Sequence, residues 1–186
     1  MKIPEHAKKV FEGTIFGVYQ WQQKMFDGSE ETFERLKRPA TVAVIPTMGS
    51  SVLISEEEQP LSPKCFTLLG GRQEKDEEPL ACGKRELVEE AGLVSDDWEL
   101  LRVYEPVSKI DWQVYIFIAR SCRKVGEQKL DAGERITIKE LSFDAFLDLV
   151  SSKDFFETEF AADIMRMRLA SDASTQVEKF QKQLFG

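Results

Sequence analysis

Histidine is almost absent from this chain: the single one, His6, lies near the start, so a His-rich metal site or a Ser-His-Asp triad lacks its material. Cysteine is scarce as well. Cys65, Cys82 and Cys122 are an odd number at wide spacing, which speaks against a disulfide framework and for reduced thiols in a cytoplasmic protein. No apolar run approaches the roughly 18 residues of a membrane span; the longest are Thr41 to Ile45 and Val114 to Ala119. Charge and proline in Lys2-Ile-Pro-Glu5 interrupt the stretch a signal peptide would need. Basic excess is missing too. With 25 basic against 33 acidic side chains the net charge is −8, which disfavours binding to nucleic acid.

What remains is an ordinary globular composition, 42% hydrophobic and 31% charged over 186 residues, long enough for one domain and an appendage. Val10 to Phe26 reads as one or two strands closing at the turn Asp27-Gly28, with a return strand Glu31 to Leu36. After Arg38-Pro39 come a strand from Thr41 to Ile45 and another from Val52 to Ile54. Glu56 to Glu58 and Pro60 to Lys64 read as a loop, and Cys65 to Leu69 as a strand. Pro79 to Ala91 reads as a helix, with Pro79 in its first turn and Gly92 just past its end. Trp98 to Tyr104, Gln113 to Ala119 and Ile136 to Leu141 are strands of a mixed sheet. Ser142 caps a helix carrying Phe143, Phe146, Leu147 and Val150 at helical spacing, and residues 154–185 are helical with a break at Ser171 to Ser174.

The segment Gly70 to Leu93 carries the chemistry. At about 100° per residue, Glu86, Glu89 and Glu90 share an arc of about 100° on one helix. Like charges one turn apart cost roughly 0.2–0.5 kcal/mol per pair. A solvated acidic face is one reading of such a pattern; the other is a hard divalent cation relieving the repulsion.

Gly71, Glu77, Arg85-Glu86, the aliphatic Leu87, Glu89-Glu90, Gly92 and the aliphatic Leu93, at their spacing, resemble the signature of the Nudix hydrolases at each fixed position. The resemblance implies an α/β fold, the Nudix α/β/α sandwich with a mixed sheet. It implies cleavage of a nucleoside diphosphate linked to another moiety, with Mg2+ or Mn2+ as cofactor. Glu86 and Glu90 then look like principal metal ligands, Glu89 like a further ligand or water-positioning carboxylate, and the Gly70 carbonyl like a backbone ligand. Arg85 would orient the carboxylates, Glu77 would support the loop, and Gly71 and Gly92 would be backbone requirements.

Phe11 to Phe26, Phe33-Glu-Arg-Leu36 and the strand at Val42 resemble the N-terminal sheet of ADP-ribose pyrophosphatases and related nucleotide-sugar hydrolases. This implies residues 1–38 as a small antiparallel accessory sheet that builds a homodimer, and residues 39–186 as the catalytic domain with C-terminal helices. Trp21 and Phe16 become candidates to stack on the base, and Arg35 a candidate for phosphate or ribose, against the commoner role of an exposed salt-bridging arginine. The chain departs from ADP-ribose-specific relatives at Glu56-Glu-Glu-Gln59, where they carry Gln-aromatic-Arg, and at Thr67-Leu-Leu-Gly-Gly71, where they carry Glu-Leu-Pro-Ala-Gly. Leu130 to Ile136 resembles the late catalytic loop, with Glu134 in the place of a metal-binding or base glutamate, Ala132 where a second one is usual, and Asp131 the nearest substitute.

The expected activity is metal-dependent hydrolysis of a nucleoside diphosphate sugar such as ADP-ribose, a small molecule rather than a nucleic acid or membrane. Two alternatives compete: a Nudix domain that senses a nucleotide with little catalysis, and a hydrolase of another nucleotide class such as triphosphates or capped RNA. The intact carboxylate set argues against the sensor, and the −8 charge offers no basic groove for RNA.

Overall fold

The computed structural model describes residues 2–186. The chain opens with β1 (Lys8–Glu12), β2 (Gly17–Lys24) and β3 (Glu30–Lys37), followed by β4 (Thr41–Met48), β5 (Ser51–Glu58), β6 (Cys65–Thr67) and β7 (Leu69–Arg72). Helix α1 (Pro79–Ala91) comes next, then β8 (Leu93–Val94), β9 (Asp97–Tyr104), β10 (Ile110–Asp111), β11 (Val114–Arg120), β12 (Arg123–Lys124) and β13 (Arg135–Ser142). Three helices end the chain, α2 (Phe143–Val150), α3 (Thr158–Leu169) and α4 (Ala173–Phe185). Among the described residues no helix is long and apolar enough to cross a membrane.

β4 is the spine. It pairs in parallel with β11 over Thr41 to Pro46 and is buried on both faces, which is why its sequence reads as a continuous apolar run rather than an alternation. The period of two still sorts its side chains. Val42 and Val44 pack with Leu87, Leu69 and Phe117 under α1, whereas Ala43 and Ile45 pack with Ile116, Phe146 and Leu184 under α2 and α4. Helices therefore cover both faces of the mixed sheet β13-β5-β4-β11-β9. Gly83 lets α1 settle on it, since a Cβ there would stand 3.2 Å from Val42 and 3.4 Å from Trp98. As the sequence suggests, Ser142 caps α2 by accepting from the Ala145 amide at 3.3 Å.

The strand predictions need correction in two places. Glu56 to Glu58 is not a loop: it continues β5, because β13 pairs with it from Arg135↔Glu58 to Ser142↔Ser51. The ladder and the ion pairs of Glu56 with Lys64 and Lys139, and of Glu58 with Arg135, override three poor strand formers. Cys65 to Leu69 is two strands. β6 pairs with β5 and β7 with β4, and the change of partner falls at Leu68. The C-terminal helical stretch also begins later than expected, at Thr158.

In the N-terminal sheet β1, β2 and β3 are antiparallel. Its far edge is β10, which joins β3 in parallel through Ile110↔Leu36 and Asp111↔Lys37, so the sheet is mixed rather than purely antiparallel.

Candidate active site

β4 and β5 pair directly only at Thr47↔Val52 and Met48↔Ser51. Beyond that they diverge, β4 taking β7 and β5 taking β6. The sheet is thus forked, and α1 returns along one prong. Gly70 and Gly71 on β7 face the carboxylates of α1.

Both glycines make room. Gly70 has φ +147°, and a Cβ there would fall 2.0 Å from the Val42 carbonyl oxygen; a Cβ on Gly71 would fall 2.3 Å from Oε1 of Glu86. A side chain at either position would push the strand off its neighbour or the carboxylate out of place. The Gly70 amide donates to Oε2 of Glu90 at 2.8 Å. Gly92 ends α1 in the left-handed conformation, φ 64°, where a Cβ would strike the Gly126 carbonyl at 2.1 Å.

Arg85 organises the rest. Its Nε and Nη2 grip both oxygens of Glu77 at 2.9 and 3.0 Å, while Nη1 donates to Glu86 at 2.8 Å and Glu89 at 3.0 Å. This fork holds the Glu77 carboxyl down at about 2 and keeps the guanidinium firmly charged. Glu77 in turn accepts from the Glu74 amide at 3.0 Å, tying down the loop ahead of α1.

Among the described residues Glu90 has no such counterion. It is buried, 5% exposed, and burial, with Glu86, Glu57 and Glu134 nearby, pushes its carboxyl up to about 9 despite the Gly70 amide. Burial also raises Glu86, against the pull of Arg85. Among the described residues, no three acidic, histidine or cysteine side chains converge closely enough to make a complete metal cage. The fit to a hard cation rests instead on the donor chemistry: a buried carboxylate at a backbone glycine, facing further carboxylates, is stabilised by a divalent charge that takes its remaining ligands from phosphate and water.

Glu134 closes a turn in which its amide donates to the Asp131 carbonyl at 3.0 Å and its carboxylate accepts from the Asp131 amide at 3.3 Å. Gln128, just upstream, donates to the carbonyls of Glu90 and Ile136, and Lys129 donates to the Glu89 carbonyl at 2.7 Å. These bonds hang the late loop from the C-terminal turn of α1.

The N-terminal candidates separate. Trp21 packs on Phe33 at 5.9 Å and donates to Gln23. Arg35 is buried, 8% exposed, where the sequence favoured an exposed arginine. Phe16 belongs to a different group, in which the Arg38 guanidinium lies 4.6 Å from the Trp112 ring centre and 5.8 Å from that of Phe16. Among the described residues the buried Nε of Arg38 has no acceptor. Burial and Arg72 lower its affinity for a proton.

Sequence reasoning missed Arg38, Trp112 and Glu57. Arg38 read only as punctuation before Pro39, and Trp112 fell just ahead of the strand expected from Gln113 and was given no role. Glu57 was legible in principle, as the middle of three glutamates on a strand, which must face opposite to its neighbours.

A NUDIX domain model matches residues 37–163. An ADP-ribose pyrophosphatase of Bacillus subtilis (strain 168) is 25% identical over 173 residues, covering 91% of this chain and 94% of the relative. A methanol dehydrogenase activator of Bacillus methanolicus is 22% identical over 167 residues, covering 88% and 90%. Among solved structures, one described as an ADP compounds hydrolase superposes with a TM-score of 0.71 at 18% identity, covering 96% of this chain and 93% of the other.

Proposed function

Because the chain belongs to the Nudix family and is a Nudix pyrophosphohydrolase, we propose that it hydrolyses the pyrophosphate linkage of a nucleoside diphosphate sugar such as ADP-ribose. The products are a nucleoside monophosphate and a sugar phosphate, and the reaction depends on Mg2+ or Mn2+. The observation that carries this reading is Glu90, a buried carboxylate at the Gly70 backbone with no cationic partner among the described residues, beside carboxylates that Arg85 holds in place.

Glu86, Glu90, Glu89 and the Gly70 carbonyl would hold the metal, and a divalent cation so bound supplies Lewis-acid charge to phosphoryl oxygens. The chain's own residues do the rest. Arg85 restrains Glu86 and Glu89, so little reorganisation is left for the transition state. Glu134 accepts the proton of the attacking water or orients it. The Phe16, Arg38 and Trp112 group takes the nucleotide end, with the Arg38 guanidinium supplying positive charge beside two aromatic rings. A panel of nucleoside diphosphate sugars and nucleotides, assayed with Mg2+ or Mn2+ and resolved by chromatography, tests the reading.

Glu134 separates an enzyme from a nucleotide sensor. If it acts in the transition state, Glu134→Gln lowers kcat by about a hundredfold while KM changes little. Asp131→Asn, made alongside, shows whether the neighbouring carboxylate shares the task. Parent-like turnover in both variants would remove the late loop from the reaction and leave Glu89 as the next candidate.

We further propose a homodimer built through the segment Phe11 to Leu36. β1 is exposed throughout, with Val10 51% and Phe11 59% accessible, and an edge strand of this kind invites a second copy. Sedimentation at micromolar concentration is expected to give twice the chain mass; a monomer there rejects the assignment.

A further inference from the structure

The fork between β6 and β7 encloses a cavity of about 220 Å3, lined by Gly70, Leu68, Thr67, Glu57, Glu157 and Phe156. It opens directly beside the backbone glycine of the catalytic centre. At about 30 Å3 per water it has room for roughly seven waters, enough for one sugar ring and short of a whole nucleoside.

Its outer wall is rigid. The Phe66 amide donates to the Asp154 carbonyl at 2.9 Å and the Phe156 amide to the Phe66 carbonyl at 2.8 Å, so 154–156 runs alongside β6. Glu157 then fastens this segment to the fork by accepting from the Leu68 amide at 3.3 Å and from the Thr67 hydroxyl. Phe155 is spent on the core, 6% exposed, whereas Phe156 stands 68% exposed at the cavity. Most of the Phe156 surface is therefore left open on a pinned backbone.

Glu57 forms part of the inner wall. Its two neighbours are turned to the other face and ion-paired with Lys64, Lys139 and Arg135, while Glu57 faces the cavity with Gln59 donating to it.

On the Nudix pyrophosphohydrolase reading, we propose that this cavity is the subsite for the terminal group of the substrate and that it selects a neutral, hydroxyl-rich sugar ring. The C–H face of the ring lies on Phe156, and its hydroxyls donate to Glu57. An ionised carboxylate only accepts hydrogen bonds, which suits a polyol. A nucleobase edge, alternating donors with acceptors, would present lone pairs to it. A terminal phosphate would meet the Glu57 carboxylate where a hydroxyl donor is wanted, so a phosphorylated sugar or the γ-phosphate of a triphosphate is turned away. Glu157 is a positioning residue, holding the Thr67–Leu68 backbone.

The experiment compares kcat/KM of the full-length protein on ADP-ribose, on ADP-ribose phosphorylated on its terminal sugar, and on ADP β-methyl ester. The ester keeps the scissile linkage and lacks the ring. The parent should prefer ADP-ribose to either analogue. Glu57→Gln is expected to lower the ratio of ADP-ribose to methyl ester at least about tenfold, as loss of a charged hydrogen bond does, and to narrow rejection of the phosphorylated sugar. Phe156→Ala should lower the first ratio about fivefold or more and leave the second discrimination in place. Ratios equal to the parent's in both variants overturn the subsite while the pyrophosphohydrolase reading stands. A parent that hydrolyses neither ADP-ribose nor the ester overturns that reading, and the subsite with it.

Discussion

Glu90→Gln is expected to lower turnover at least about a hundredfold while the fold persists. The substitution keeps shape and removes one charge from the place where Glu90 lies buried against the Gly70 amide. If Glu90 is a principal metal ligand, the loss is that of a primary catalytic interaction and saturating Mg2+ or Mn2+ does not restore the rate. Stability should move the other way in metal-free solution. Burial and the surrounding carboxylates raise the Glu90 carboxyl to about 9, above its ordinary 4.5. Between those values the folded chain holds a proton that the unfolded chain has released, so the parent loses stability as pH rises from 4.5 toward 9. The Gln variant lacks this slope. Melting curves in chelator at pH 6 and pH 8 should therefore show the variant gaining on the parent at the higher pH, and added Mg2+ should stabilise the parent more than the variant. Near-parent turnover in the variant would sink the metal-site assignment.

Arg85→Ala has the second largest expected effect, and it falls on structure as well as rate. One guanidinium satisfies both oxygens of Glu77 and one oxygen each of Glu86 and Glu89. Removing it leaves three carboxylates facing one another at the start of the site. Because the group is partly solvated, the stability cost is about 1–3 kcal/mol rather than that of a fully buried pair. Turnover should fall about ten- to a hundredfold, because Glu86 and Glu89 lose the group that orients them. Arg85→Lys should rescue little, since an ammonium cannot span Glu77 and the α1 carboxylates at once. The acid limb provides a signature. Glu77 is held at about 2 against an ordinary 4.5, so it stabilises the parent fully above 4.5, and that contribution drains away as pH falls from 4.5 through about 2. In Arg85→Ala this acid-dependent step should shrink, as read by melts across pH 2 to 5. An unchanged acid limb would show that the Glu77 fork is not what depresses its carboxyl.

The amino-acid sequence by itself determined the part of this protein that lies within one helix and the strand before it. Spacing alone places Arg85, Glu86, Glu89 and Glu90 together, because 3.6 residues per turn brings positions three and four apart onto one face. Pro79 and Gly92 bound that helix through backbone preferences that act locally. The two-faced burial of β4 was readable for the same reason, as an unbroken apolar run. Pairing between distant strands is not local, and there the tertiary structure decided. Whether Glu56 to Glu58 forms a strand depends on β13 lying alongside, more than seventy residues later, and that register is what turns Glu57 inward and its neighbours out. The break of Cys65 to Leu69 into two strands follows from the fork of β4 and β5, and the same fork creates the cavity to which 154–157 brings Phe156 and Glu157. Arg38 meets Trp112 only because β10 joins β3 in parallel across the sequence. Carboxylates one turn apart announce themselves in a sequence; a cavity gathered from four separate strands and a loop exists only once long-range pairing has set their register.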